Sequence, residues 1–261
     1  MSVREKIFRY YQASDDGDLA ARLLDLAELA VRTRRYRTSE FLDPYGLSIA
    51  ETIAAHYESL ILTADGGYLG AERVKACFRH EDYRGTVDYE LRALLASWDG
   101  RYYHLSHRDV LGALMGLGIK REVFGDIIML PDSCQVIVDA PMLPFIIQNL
   151  TTIGPAPVTL TEISLAEIKP REERRKEIKT TIASLRLDAV AAAGFGTSRT
   201  KMVADITAGK VKVNWQEAKS TAQPIKVGDV ISIRGRGRVE VTALNGQTKK
   251  GRISVVLTRF M

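Results

Sequence analysis

Arg186, Arg199, Lys201, Lys210 and Lys212, followed by the tract Arg234-Gly235-Arg236-Gly237-Arg238, gather cationic side chains around the hydroxyl of Ser198 in the last third of a 261-residue chain. The chemistry open to them is recognition of a polyanion. Arginine makes bidentate contacts with phosphate oxygens, and lysine acts as a mobile point charge. Ser198 precedes an apolar helical pattern and can cap it, and the exposed amides of a helix start attract phosphate. Glycines between the arginines of the 234–238 tract let backbone approach RNA closely, and those arginines can stack on bases.

The charge distribution points the same way. Residues 184–261 hold 14 Lys and Arg against 5 Asp and Glu, a net of +9, whereas residues 1–183 hold 23 against 27, a net of −4. A formal net charge of +5 therefore conceals a basic module joined to a mildly acidic body. Such segregation is the electrostatic footprint of a nucleic-acid partner.

The elements that must position these cations are legible. Leu185, Leu187, Val190 and Ala191 give one helical side in a stretch opened by Ser184 and Asp188, and Gly194 and Gly196 end it. A second helix starts at Thr197-Ser198, uses Met202, Val203 and Ile206, and stops at Gly209. Val211 and Val213 alternate with Lys210 and Lys212 as in a half-buried strand, and Asn214 suits a turn. Gly228-Asp229 forms another turn before the strand Val230–Ile233.

This order resembles the S4-type RNA-binding module. The residues carrying the resemblance are Arg186-Leu187-Asp188, Ser198-Arg199, Gly209 to Asn214, and Gly228-Asp229. In that family a helix pair and the adjoining strand form one RNA-contacting face. The resemblance assigns Arg186, Ser198, Arg199, Lys201 and Lys210 to it. Lys212, Arg234, Arg236 and Arg238 join the candidate set through their charge and position.

Residues 1–80 read as a helical N-terminal domain. Leu19, Leu23, Leu26 and Ala30 form one stripe, which Asp15 or Asp16 could cap, and Ile49, Ile53, Ala54, Tyr57 and Leu60 form another. Arg32, Arg34, Arg35 and Arg37 cluster at the end of the first stripe, where cations suit a helix C-terminus. A further short helix is expected from Ala71-Glu72-Arg73. Residues 81–168 read as β-α-β-β-α-β, a ferredoxin-like, RNA-recognition-motif-like domain. Its strands are expected near 87–97, 126–130, 134–138 and 158–163. Ser106 with Asp109 makes a capping-box pattern for its first helix, and Pro141 opens its second. Residues 169–183 read as a charged connector, helical around Lys169–Lys179 and held by pairs such as Glu172 with Lys176. Residues 184–261 form the S4-type domain, and the whole is an α+β protein.

Two longer strings extend the resemblance to nearly the full chain: Gly66 to Arg73 (GGYLGAER) and Ser106 to Ile127 (SHRDVLGALMGLGIKREVFGDI). They are similar to the bacterial YlmH family and to its cyanobacterial and plastid relatives named for photosystem II. The resemblance implies binding to the large ribosomal subunit and to tRNA during rescue of stalled translation. For the plastid branch it also implies a link to photosystem II that no residue here explains. Partners are accordingly expected to be structured RNA (rRNA and tRNA), with no preference for DNA. His107, Arg108, Lys120 and Arg121 are candidates for a second RNA patch on the central domain.

Other chemistry finds little purchase. His107-Arg108-Asp109 copies three letters of a kinase loop without the nucleotide loop, lysine strand or D-F-G site a kinase needs. His104 and His107 lack further ligands in a metal-binding array. No P-loop, G-x-S-x-G or dinucleotide fingerprint is present. No catalytic residue, metal or cofactor is expected. The alternative is an RNA-modifying, pseudouridine-synthase-like enzyme targeted by its S4 domain. Cys77 and Cys134 lie far apart and form no C-x-x-C, which suits a reduced, cytoplasmic setting. The N-terminus lacks a signal-peptide pattern, and no stretch reaches the ~20 apolar residues of a membrane helix, so no membrane insertion is expected.

Overall fold

The computed structural model describes residues 3–11, 17–170, 175–249 and 251–260. The chain divides into two compact units, 1–171 and 172–261.

The first unit begins with α1 (Val3–Tyr11), α2 (Gly17–Thr33), β1 (Tyr36–Leu42), α3 (Pro44–Ala54), β2 (Leu60–Asp65) and β3 (Val74–His80). Helix α2 carries its expected apolar stripe and α3 carries Ile49, Ile53 and Ala54 of the second, whereas Tyr57 lies beyond the helix end and Leu60 opens β2. Leu23, Leu24, Ile49 and Ile53 are buried together with Ala76 and Phe78 of β3. Asp43 caps α3 by accepting from the Gly46 amide at 2.8 Å. The candidate caps Asp15 and Asp16 lie outside the described residues. The helical region also contains an antiparallel sheet of order β1-β3-β2, which the sequence reading did not anticipate. Its strands are short, and β3 is buried on both faces through Lys75, Ala76, Cys77 and Phe78, so no two-residue alternation marks it. The helix expected at Ala71-Glu72-Arg73 is instead a loop leading into β3. Its amides bond across to a carboxylate rather than along a helix.

The central part follows the expected order: β4 (Leu91–Ser97), α4 (His107–Gly116), β5 (Phe124–Met129), β6 (Ser133–Asp139), α5 (Leu143–Asn149) and β9 (Thr159–Ile163). A two-stranded ribbon of β7 (Thr152–Ile153) and β8 (Ala156–Pro157) intervenes. The antiparallel order β5-β6-β4-β9 is ferredoxin-like. Alternation on the strands sends Leu94, Phe124 and Val136 toward Leu114 of α4 and Ile146 of α5. Residues of the other face, Leu91, Ala93, Ile128 and Ile137, are buried with Phe41 of β1 and Ile168. An RNA-recognition motif binds bases on that second face. Here it is closed by the rest of the unit, which accounts for the absence of an aromatic sheet motif.

The second unit contains β10 (Arg175–Ile182), α6 (Leu187–Phe195), α7 (Arg199–Thr207), β11 (Val211–Val213), β12 (Gln216–Glu217), β13 (Val230–Ile233), β14 (Gly237–Gln247) and β15 (Ile253–Phe260). Their sheet order is β10-β15-β14-β13-β11-β12. The stretch expected to be a helical connector is therefore partly an edge strand. Residues 175–182 pair in register with 253–260. Ile178 and Ile182 alternate along β10 and pack on the core, an attraction stronger than helix-surface ion pairs. The expected Glu172–Lys176 pair involves a residue outside the described set. The core joins Leu187 and Val190 of α6, Met202 and Ile206 of α7, and Val239, Val241, Val255 and Leu257 of the sheet. Gly194 permits close contact between α6 and β14, since a Cβ there would meet Val239 Cγ1 at 2.7 Å.

Candidate nucleic-acid interface

The first cationic group is built around Asp188, which sits in the opening turn of α6 with 5% of its side chain exposed. Arg186, the N-cap residue, donates through Nε to Asp188 Oδ1 at 3.2 Å and through Nη2 to Oδ2 at 3.3 Å. Arg199 opens α7 and donates to Asp188 Oδ2 at 2.6 Å. Burial pushes the Asp188 pKa up, but hydrogen bonds and charges from the two arginines outweigh it, and the net shift is downward. One buried carboxylate thus fixes two guanidinium groups whose side chains remain 44% and 52% exposed.

The α7 start completes this group. Gly196 ends α6 in the left-handed conformation at φ 62°, turning the chain into α7. Ser198 Oγ accepts from the Lys201 amide at 3.2 Å. The Lys201 side chain is exposed. Helix α7 therefore begins with a capped turn, an anchored arginine and a free lysine, which together favour an anion.

A second group surrounds Asp205, four residues beyond Lys201 and on the same helix side. Lys210 Nζ lies 3.7 Å from Asp205 Oδ1, and Arg236 Nη1 lies 3.6 Å from Oδ2. Arg236 turns inward: its Nη2 donates to the Phe195 carbonyl at 3.2 Å, and its guanidinium lies 5.6 Å from the Phe195 ring. Arg234 is exposed, and its amide donates to the Lys210 carbonyl at 3.1 Å, tying the 234–238 turn to the start of β11. Lys212 projects from β11, opposite Ser232 and Glu217. Arg238 lies on β14, 4.8 Å from the Phe260 ring, which Arg175 of β10 also approaches at 5.4 Å. The nine candidates thus fall into an Asp188 group, an Asp205 group, a strand lysine and a Phe260 stack.

The cations are legible in the sequence, and most of the residues that organise them are not. Asp188 was visible inside the Arg-Leu-Asp string. Asp205, Phe195, Phe260 and Arg175 carry no local signal, because their roles arise from strand pairing and helix packing.

In the first unit, Asp109 accepts from Ser106 N at 2.8 Å and Oγ at 2.7 Å, so it secures the start of α4. Arg108 and Lys120 are exposed. Arg121 is directed at the backbone: its Nη1 donates to the carbonyls of Phe124 and Gly125, and it covers the Phe124 ring at 4.5 Å. Burial and nearby Arg73 lower its pKa to about 10. Burial, then Arg121, lowers the His107 pKa. The four candidates for a second patch therefore differ: His107, Arg108 and Lys120 are exposed, and Arg121 is tied into the local packing.

Among the described residues, no group of three or more His, Cys, Asp or Glu could hold a metal ion. Cys77 and Cys134 are buried free thiols, and burial pushes Cys134 to about 12. No helix among the described residues is long and apolar enough to cross a membrane.

Comparison with known proteins matches three family models along the chain. Residues 15–83 match "YlmH, N-terminal", residues 85–167 match "Putative RNA-binding domain in YlmH", and residues 185–231 match "S4 domain". The chain is 33% identical over 254 residues to the Bacillus subtilis (strain 168) ribosome-associated protein quality control protein P2, covering 97% of this chain and 98% of the relative. The solved structure of the cell division protein ylmH from Streptococcus pneumoniae superposes with a TM-score of 0.52 at 21% identity, covering 60% of this chain and 95% of the other. That likeness concerns the fold.

Proposed function

This chain belongs to the YlmH family of S4-domain proteins, and from that premise we propose that it is a non-catalytic protein that docks structured RNA on the large ribosomal subunit. The RNA is ribosomal RNA with transfer RNA alongside, and the setting is translation or the quality control of stalled ribosomes in the cytoplasm. The observation that carries this reading is the anchoring of Arg186 and Arg199 by Asp188 beside the Ser198-capped start of α7. A fixed pair of guanidinium groups next to a helix start is complementary to adjacent phosphates, and phosphate contacts place a protein on folded RNA without reading its sequence. The name of the Bacillus subtilis relative describes ribosome-associated quality control, which supports the ribosomal setting. No residue described above supports a role at photosystem II, and the proposal does not include one.

The test is binding of the full chain to purified ribosomal subunits and to transfer RNA over a salt series. Arg199→Glu with Lys201→Glu is expected to weaken binding at least about tenfold while circular dichroism stays unchanged. Equal affinity of the variant and the parent protein would overturn the placement. Isomerisation of uridine in cellular RNA by the purified chain would overturn its non-catalytic character.

A further inference from the structure

We propose that the N-terminal sheet carries a second RNA-binding surface, one that takes an unpaired stretch of RNA, with bases on the accessible Tyr36-Arg79-Ile61 end of β1-β3-β2 and phosphates on the arginines at its rim. This inference rests on the RNA-binding reading above and adds a site to it.

Strand pairing builds the platform. Tyr36 of β1 and Ile61 of β2 are both register partners of Arg79 of β3, so the three side chains form one row across the sheet. Phe78, the neighbour of Arg79, packs into the α2–α3 core, which puts Arg79 and its row on the opposite face. Ile61 is 40% exposed there and Tyr36 and Arg79 are half-buried, while Cys77 and Lys75, further along the same face of β3, are buried, so the accessible strip is the end row of the sheet. The Tyr83 ring lies 5.2 Å from that of Tyr36, tilted by 59°, and Arg79 Nη1 donates to the Tyr83 carbonyl at 3.0 Å. Two aromatic rings, an isoleucine and a guanidinium along one strip are the ingredients of a base-stacking surface.

The rim supplies charge. Arg32, Arg34, Arg35 and Arg84 are all exposed. The His80 amide donates to the Arg35 carbonyl at 3.1 Å, which sets Arg35 beside the end of β3. Carboxylates on the neighbouring segments include Glu58, Glu81, Asp82 and Asp88. Asp82 reaches Arg34 at 3.7 Å, with both side chains more than half exposed, and lies 3.6 Å from His80 Nδ1.

Arg34 provides an independent argument. It ends α2 with φ 50°, a conformation that glycine adopts freely and arginine does not. The accompanying bonds, Arg34 N to the Val31 carbonyl and Arg35 N to the Ala30 carbonyl, both at 3.3 Å, use only backbone. The fold thus needs the turn but not the guanidinium. A charged side chain held in a strained position that glycine would fill better points to use of the charge.

The test uses the full chain and two fluorescein-labelled RNAs, a hairpin and the same hairpin with a single-stranded tail. In the parent protein the tail is expected to raise affinity about tenfold, as stacking of one or two bases does. Arg35→Glu with Arg84→Glu should erase the gain from the tail and leave hairpin affinity intact. Arg199→Glu with Lys201→Glu should weaken hairpin binding and preserve the gain. Arg34→Gly should keep or raise Tm while reducing the gain. Photocrosslinks from the tail should map to residues 34–37 and 79–84. A gain that survives Arg35→Glu with Arg84→Glu overturns this site and leaves the hairpin result standing. Failure of the parent protein to bind either RNA overturns both the site and the functional reading on which it rests.

Discussion

Arg199 Nη2 and Asp188 Oδ2 stand 2.6 Å apart, joining the first turn of α7 to the first turn of α6. The same carboxylate accepts two longer bonds from Arg186. Asp188 is thus a negatively charged residue at the centre of a surface proposed to bind an anion. It acts by holding cations that would otherwise sample many rotamers, so less entropy is lost when a phosphate arrives.

Replacing that anchor should separate charge from order. Asp188→Asn removes one negative charge, which by simple field arguments would favour RNA. The expected result is nevertheless weaker binding, about three- to tenfold, because both guanidinium groups lose their strongest partner. Stability should fall by about 1–2 kcal/mol, a value kept low because the arginines are half exposed. The pH dependence has a defined sign. The folded Asp188 pKa is depressed, so its stabilisation is complete above the ordinary carboxylate range and is lost as pH falls through the folded value. Urea unfolding of parent and Asp188→Asn proteins between pH 7 and strong acid should therefore converge at low pH. Parallel curves, or tighter RNA binding by the variant, would count against the anchoring role.

The two arginines of the 234–238 turn should behave differently. Arg236 contacts the Phe195 carbonyl, the Phe195 ring and Asp205, whereas the Arg234 side chain is exposed. Arg236→Ala should lower stability by about 1–2 kcal/mol through lost packing and the loss of one of the two cations beside Asp205. Arg234→Ala should leave stability unchanged and reduce the salt dependence of RNA binding by about one phosphate contact. Thermal unfolding and salt-titrated binding on the same samples decide the matter; a destabilised Arg234→Ala protein would contradict the structure.

Asp126 offers a check on the first unit. It accepts from the Tyr68 hydroxyl and the Glu72 amide at 2.7 Å and from the Arg73 amide at 3.1 Å. Arg73 in turn donates to the Phe41 carbonyl at 2.8 Å. This network holds the Gly66–Arg73 loop against the central sheet. Asp126→Ala should cost about 2–3 kcal/mol, since several amide and hydroxyl donors lose their acceptor together. Hydrogen exchange should rise in residues 66–73 and stay unchanged in residues 187–207. Unchanged protection of the loop would show that other contacts suffice to hold it.

Much of the second unit was readable from local signals. Ser198 before an apolar helix, Gly196 after one, and alternation through Val211 and Val213 are short-range patterns, and the structure places a cap, a left-handed helix end and a strand there. Ser106 with Asp109 was legible for the same reason. Strand β10 was not. Its Lys and Glu residues read as a solvated helix, and only the partner strand 253–260, more than seventy residues away, supplies the hydrogen bonds that make 175–182 extended. The sheet of residues 1–80 was missed on similar grounds, since β1, β2 and β3 each need the others before any is stable.

The sequence by itself determined the segregation of charge, the α+β class, the helix caps of the basic module and the identity of its cations, because each depends on neighbouring residues or on composition. Tertiary structure alone decided which cations face outward, through Asp188, Asp205 and Phe195. It also closed the second face of the central sheet under Phe41 and Ile168, and it aligned Tyr36, Arg79 and Ile61 in one row. Those outcomes depend on strand register and on buried partners distant in the chain, and a linear pattern of residue types does not encode either one locally.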